Sequence, residues 1–164
     1  MFELTMGNWS WNQELQIIVA DVRLQMDQDI LVDEPLCVDV GMPAMLRSVL
    51  KDNELNRFAE PSMWWVMPFF VCGCGDPECR GFSFIVKHLS EDLISITHVE
   101  DKTDGTLREY ESCEVPFAEY RHNVMKIAHA FDEYVCTLGE AYQPLLNHTA
   151  TLVKELMAEV KRQE

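Results

Sequence analysis

The chain is organised around one short stretch, residues 70–82, which reads FVCGCGDPECRGF. Three of the six cysteines lie within it: Cys72, Cys74 and Cys79. Two glycines and an Asp-Pro pair separate these cysteines and favour tight turns of the backbone. Apolar runs typical of strands flank the stretch on both sides. The pattern therefore predicts a hairpin whose tip holds three thiols close together.

An antiparallel meander is predicted to carry this cysteine hairpin. Aromatic and β-branched residues, which favour strands, are frequent before and after the loop. The pair Asp104-Gly105 is a strong turn signal between two further segments of this kind. Consecutive strands joined by short turns form a meander. The predicted strands are residues 64–71, 82–87, 93–99 and 107–115.

The N-terminal third predicts short strands and one helix. Apolar residues stand at every second position from Ile18 to Met26, which predicts a strand within residues 14–26. Further short strands are predicted near residues 2–6 and at 36–40, the latter after a polar loop at 27–35. A helix is predicted over residues 44–56, where Pro43 suits the first turn.

After Pro116 the apolar residues recur at steps of three and four. This period predicts a helix at Phe117–Leu138 with Gly139 as its C-cap. A second amphipathic helix is predicted over residues 145–160, with Pro144 in its first turn. The two helices are expected to form a hairpin that packs on the sheet. The sequence therefore predicts a single α+β domain over residues 1–164.

The charge is strongly negative: 13 basic and 28 acidic residues give −15 over 164 residues. Residues 1–115 carry 21 acidic and 8 basic side chains. Such a charge repels nucleic-acid phosphates and anionic lipid headgroups, so neither is expected as a partner. The acidic surface either provides solubility or docks a basic protein partner.

Membrane and secretion signals are not evident. The longest apolar run, residues 63–72, is too short to span a bilayer and contains Pro68. The N-terminus shows neither the basic nor the apolar region of a signal peptide. A cytoplasmic location is therefore expected, where cysteines are more often free thiols or metal ligands than disulfides.

The cysteine loop supplies three of the four ligands that zinc prefers. Cys72 and Cys74 are two positions apart, so an extended backbone points both to the same side, and the turn returns Cys79 toward them. His98 is the predicted fourth ligand, because pairing of the flanking strands would place it opposite Ser83 near the end of the loop. Cys113, Asp76 or a water molecule could serve in its place. A redox role, or thiols that only cap a hairpin, also fit the pattern.

Signals for catalysis are weak. A reactive thiolate needs a cationic neighbour, and Arg80 beside Cys79 is opposed by Asp76 and Glu78. Phosphate-binding glycine loops and common hydrolase or zinc-protease motifs are not found. The three isolated cysteines are expected to be small core residues; they are Cys37, Cys113 and Cys136.

Two motifs are combined in this chain: a strand–CxCGxxxCxG–strand segment within residues 66–86 and a PFxxY helix start at residues 116–120. Together they resemble uncharacterised bacterial proteins of similar size. The resemblance implies a bacterial origin and a recurring cysteine hairpin, and it implies no particular activity. Glu78 departs from the pattern, because the position before the third cysteine is often small in such proteins.

Three functions compete at this point. The first is an acidic cytoplasmic accessory protein without enzymatic activity, with structural zinc in the Cys72–Cys79 loop. The second is an immunity or antitoxin-like inhibitor of a basic toxin. The third is an enzyme that uses an open metal site or a reactive thiol in the same loop. Metal content and thiol reactivity separate them.

Overall fold

The computed structural model describes residues 1–146 and 148–163. Within these ranges, two antiparallel three-stranded sheets and three α-helices form an α+β fold, as predicted. The strands are β1 (Phe2–Asn12), β2 (Ile17–Met26), β3 (Asp29–Cys37), β4 (Ser83–His88), β5 (Leu93–Asp101) and β6 (Leu107–Pro116). The helices are α1 (Met42–Leu50), α2 (Phe117–Leu138) and α3 (Thr149–Arg162).

The N-terminal sheet has β2 at its centre, between β1 and β3. The predicted face of β2 is confirmed, since its side chains from Ile18 to Met26 are buried at every second position. The predicted polar loop at 27–35 is wrong, because most of it forms β3. Val32 and Leu36 are buried while Asp33 stays exposed. Pairing with β2 thus outweighs the polar composition of this segment.

The second sheet has the order β4-β5-β6. The strand predicted at 64–71 is wrong: the segment begins with a short 3-10 helix, Trp64–Val66. Near its end it forms an isolated bridge with the residue before β4, in which the Phe82 amide donates to the Phe70 carbonyl at 3.0 Å. Pro68 lies between and has no amide hydrogen for a ladder. This meander therefore has three strands, and one bridge closes the base of the cysteine loop.

The three helices pack against one another, and α2 also packs on both sheets. The bounds of α2 are those predicted, and Gly139 follows it with a positive φ of 58°. Helix α3 begins at Thr149, so Pro144 precedes it instead of starting it. Helix α2 contacts β1, β6, α1 and α3. One hydrophobic core includes side chains from both sheets and the three helices.

A buried polar contact also joins helices α1 and α2 within the core. The Ser48 hydroxyl of α1 and the Tyr120 hydroxyl of α2 are 2.6 Å apart and buried. In the part of the chain described, no helix has the length and apolar character needed to cross a membrane.

Candidate metal centre

The loop between Phe70 and Phe82 is a series of tight turns. Gly73 and Gly75 have φ values of 81° and 74°, a region in which a side chain would strain the backbone. The Asp76 carboxylate accepts a hydrogen bond from the Glu78 amide at 2.9 Å, and the Asp76 carbonyl accepts one from the Cys79 amide at 3.1 Å. These turns reverse the chain between the second and third cysteines.

The three thiols meet on one side of the loop. Their Sγ atoms all lie within 4.8 Å of one another. The Sγ of Cys72 is central, 3.0 Å from that of Cys74 and 3.1 Å from that of Cys79. The predicted clustering of the three cysteines is therefore confirmed. Ligands of one tetrahedral zinc ion, with zinc–sulfur bonds of about 2.3 Å, stand about 3.8 Å apart. A small opening of the cluster would accommodate such an ion.

The Cys72 and Cys74 thiols differ in the direction in which the fold shifts their pKa. Burial, together with the hydrogen bond that Cys72 donates to Cys74, raises the pKa of the Cys72 thiol. The same hydrogen bond, and one from the Asp76 amide at 3.4 Å, lower the pKa of the exposed Cys74 thiol. Cys74 therefore ionises at a lower pH than Cys72. Metal binding requires thiolates, so an ion that binds at this site displaces the protons that its thiol ligands hold.

Two arginines hold the loop in place. The Arg57 guanidinium donates to the carbonyl oxygen of Cys79, while its own amide donates to the Asp101 carboxylate at 2.6 Å. Arg80 forms two hydrogen bonds with the Glu34 carboxylate, at 2.9 and 2.5 Å, which connects the loop to β3. The backbone of the loop is thus attached to the second sheet through Arg57, and Arg80 attaches the loop to the N-terminal sheet. These contacts leave the thiols free to bind a ligand.

His98 is not brought to the three thiols. It pairs with Phe84, not with Ser83, which faces Val99. Its ring lies 5.2 Å from that of Phe84 and 5.1 Å from that of Tyr110. Burial lowers the pKa of His98, as expected for a neutral ring packed among aromatic ones. The group of described residues that could hold a metal contains the three cysteines alone.

Asp76 and Cys113, which could also have supplied a fourth ligand, contact other groups. The Asp76 carboxylate caps the turn as described above, and the Cys113 Sγ lies 3.1 Å from the Met26 Sδ. Among the isolated cysteines, Cys37 and Cys113 are half-buried, whereas Cys136 is exposed on α2. The expectation of a core position is thus wrong for Cys136, which stands outside the buried stripe of its helix.

Arg57 and Glu34 were not identified from the sequence. Neither belongs to a motif, and each reaches the loop only through the tertiary fold. The spacing of the cysteines was an adequate signal for the thiol cluster because all three belong to one local turn. No comparable local signal exists for residues that come from other segments.

Comparison with known proteins gives no further assignment. No model of a protein family, no curated protein and no solved structure matches this chain. The site is therefore interpreted from its own geometry.

Proposed function

We propose that this protein binds one zinc ion through Cys72, Cys74 and Cys79, and that the ion fixes the exposed loop as an interaction element of a non-enzymatic accessory protein. The observation that carries the proposal is the convergence of the three Sγ atoms within 4.8 Å of one another. Thiolates are soft ligands, and zinc is a common ion in thiolate sites with tetrahedral geometry.

The surroundings of the loop support a structural role for the ion. The side chains of Arg57 and Glu34 hold the backbone and the flank of the loop, as described above. Cys74 and the residues from Gly75 to Glu78 are exposed, so the loop has surface to offer a partner once its conformation is fixed. An ion that fixes an exposed loop lowers the entropy cost of binding that partner.

The expected partner is a basic protein. The net charge of −15, with 21 acidic and 8 basic side chains in residues 1–115, supports electrostatic docking of a positively charged surface. An immunity-type inhibitor that binds a basic toxin is one example of an acidic protein with such a partner. The proposal also includes the bacterial origin and the cytoplasmic location that the sequence leads us to expect.

A second candidate function is thiol–disulfide exchange. It is favoured by the exposure of Cys74, its lowered pKa and its position 3.0 Å from the Cys72 sulfur. A Cys74 thiolate would attack a small disulfide such as oxidised glutathione, which forms a mixed disulfide and releases one molecule of reduced glutathione. A second loop thiol would then attack the Cys74 sulfur of the mixed disulfide and release the second molecule. The products are one protein disulfide and two molecules of reduced glutathione.

Elemental analysis of protein purified without chelator, paired with a thiol titration, tests the first proposal. We expect about one zinc ion per chain and its loss in Cys72→Ser, Cys74→Ser and Cys79→Ser, since each substitution removes a ligand. Cys136→Ser is the matched control, because it removes an exposed cysteine outside the loop and should keep the ion. Fully reduced protein that contains no metal and takes up none from added zinc would contradict the proposal. Rapid oxidation by glutathione disulfide in that same protein would favour the second candidate.

A further inference from the structure

A fourth cysteine lies on the segment that supports the loop. The residues from the end of β3 to the start of α1 run along one side of residues 67–73. Val40 packs in a small buried cluster with Met67 and Val71. A Cβ atom placed on Gly73 would lie only 3.2 Å from a Val40 methyl group, so the segment and the loop are in close contact there.

A second contact is found at the other end of the loop. The Glu34 carboxylate holds the Arg80 guanidinium through two hydrogen bonds, as described above. Arg80 follows Cys79 directly, whereas Gly73 lies between Cys72 and Cys74. Cys37 is three residues after Glu34 and three residues before Val40, so it lies midway along the chain between the two residues that contact the loop.

The electrostatics of Cys37 agree with this position. Burial is the main cause that raises the pKa of its thiol to about 11, followed in order by the charges of Cys72, Asp39 and Cys74. The interaction between two charges weakens as the distance between them grows. The half-buried Cys37 thiol is thus near enough to Cys72 and Cys74 for their charges to act on it, although it lies outside the 4.8 Å group.

We propose that Cys37 is the fourth protein ligand of the metal, and that the loop closes onto the end of β3 when the ion binds. The inference rests on the proposed zinc site and completes its tetrahedron with a fourth thiolate. Gly73 and Gly75 flank Cys74 and permit the backbone change that this closure needs. The fourth ligand would connect the loop to the N-terminal sheet, so that metal binding stabilises contacts between distant parts of the chain.

Cobalt(II) is the probe for the test, because its visible spectrum reports the number of thiolate ligands and the geometry around the ion. Wild type, Cys37→Ser and Cys136→Ser are titrated with cobalt(II), and the zinc affinity of each is measured by competition with a chromophoric chelator. In Cys37→Ser we expect the sulfur-to-cobalt charge-transfer band to lose about a quarter of its intensity, since four thiolates become three. Zinc affinity should fall by at least about 10-fold, while Cys136→Ser matches wild type.

Alkylation of the wild type keeps the test decisive if Cys37→Ser does not fold. Zinc-loaded and chelator-treated protein are treated with iodoacetamide, and each cysteine is followed by mass spectrometry. We expect zinc to protect Cys37 together with the three loop cysteines, whereas Cys136 reacts equally in both samples. Protection of the three loop cysteines without any change at Cys37 would overturn this inference and leave the proposed function intact. If the wild type binds no metal and zinc protects none of its cysteines, both this inference and the proposed zinc site are overturned.

Discussion

The guanidinium of Arg57 donates a hydrogen bond to the carbonyl oxygen of Cys79, the third cysteine of the loop. A second, longer contact of 3.5 Å reaches the carbonyl oxygen of Asp76. Because the Arg57 amide is itself bonded to Asp101 at the end of β5, the returning half of the loop is attached to the second sheet. One side chain thus orients the turn that brings Cys79 back to Cys72.

Replacing Arg57 by alanine is expected to weaken metal binding without removing any ligand. The loop would lose the donor that orients Cys79, and changes to groups that orient metal ligands typically lower affinity by about 10- to 100-fold. Zinc competition titration measures the change. Arg108→Ala is the control, since the Arg108 guanidinium lies over the Tyr110 ring, 5.3 Å from its centroid. Equal affinities of the two variants would contradict a positioning role for Arg57.

The buried carboxylate of Asp39 predicts a pH-dependent stability. Only 1% of this residue is exposed, and the Tyr142 hydroxyl donates to its Oδ2 at 2.7 Å. Burial raises the pKa of Asp39 from 3.8 to about 6, against the opposing effect of the Tyr142 hydrogen bond. The folded state therefore binds the proton more tightly than the unfolded state.

The sign of the effect follows from this difference. Between about pH 4 and pH 6 the folded state holds a proton that the unfolded state has released, so the contribution of Asp39 to the free energy of unfolding falls as pH rises. A difference of about two pKa units corresponds to about 3 kcal/mol. Above about pH 6 the contribution is constant.

Urea unfolding from pH 4 to pH 7 measures this contribution by comparison with Asp39→Asn. Asparagine can still accept the Tyr142 hydrogen bond but does not titrate, and the other carboxylates are common to both proteins. The unfolding free energy of the wild type minus that of the variant should decrease as pH rises from about 4 to about 6 and then level off. A difference that is independent of pH would show that Asp39 titrates alike in both states.

Phe131 tests the buried face of α2. Its exposed fraction is 0%, and it lies in the core with the Trp9 ring 6.2 Å away. Phe131→Ala is expected to cost about 3–5 kcal/mol in unfolding free energy, because it removes a large side chain and leaves a cavity. Leu15→Ala is the control at a position that is 62% exposed and should change stability by less than about 0.5 kcal/mol. Chemical denaturation provides both values, and a loss for Phe131→Ala as small as that of the control would be inconsistent with this packing.

The acidic charge predicts that the protein does not bind nucleic acid at physiological salt. The clearest basic cluster in the sequence contains Lys154, Lys161 and Arg162, and it is interleaved with Glu155, Glu159 and Glu164. A gel-shift assay with duplex and single-stranded probes at about 0.15 M salt is the measurement. Affinity tighter than the non-specific range of about 10⁻⁴–10⁻⁶ M would refute the prediction.

Features that depend on neighbouring residues were predictable from the sequence. The period of apolar residues defined α2 with its correct bounds, and the Asp104-Gly105 turn joined β5 to β6. The three loop cysteines were predicted to meet because a few glycine-rich turns decide their positions. In each case the interactions that select the conformation lie within one element or between adjacent ones.

Features that depend on distant partners were decided only by the tertiary structure. β3 forms in a polar segment because β2 offers it a ladder of hydrogen bonds, and the segment from Trp64 to Val71 is not a strand although its composition favours one. Arg57 and Glu34 contact the loop from separate parts of the chain. The sequence by itself determined the local turn that gathers three thiols. The fold decided what surrounds them, because contacts between distant residues depend on how the elements pack and not on the spacing within any one of them.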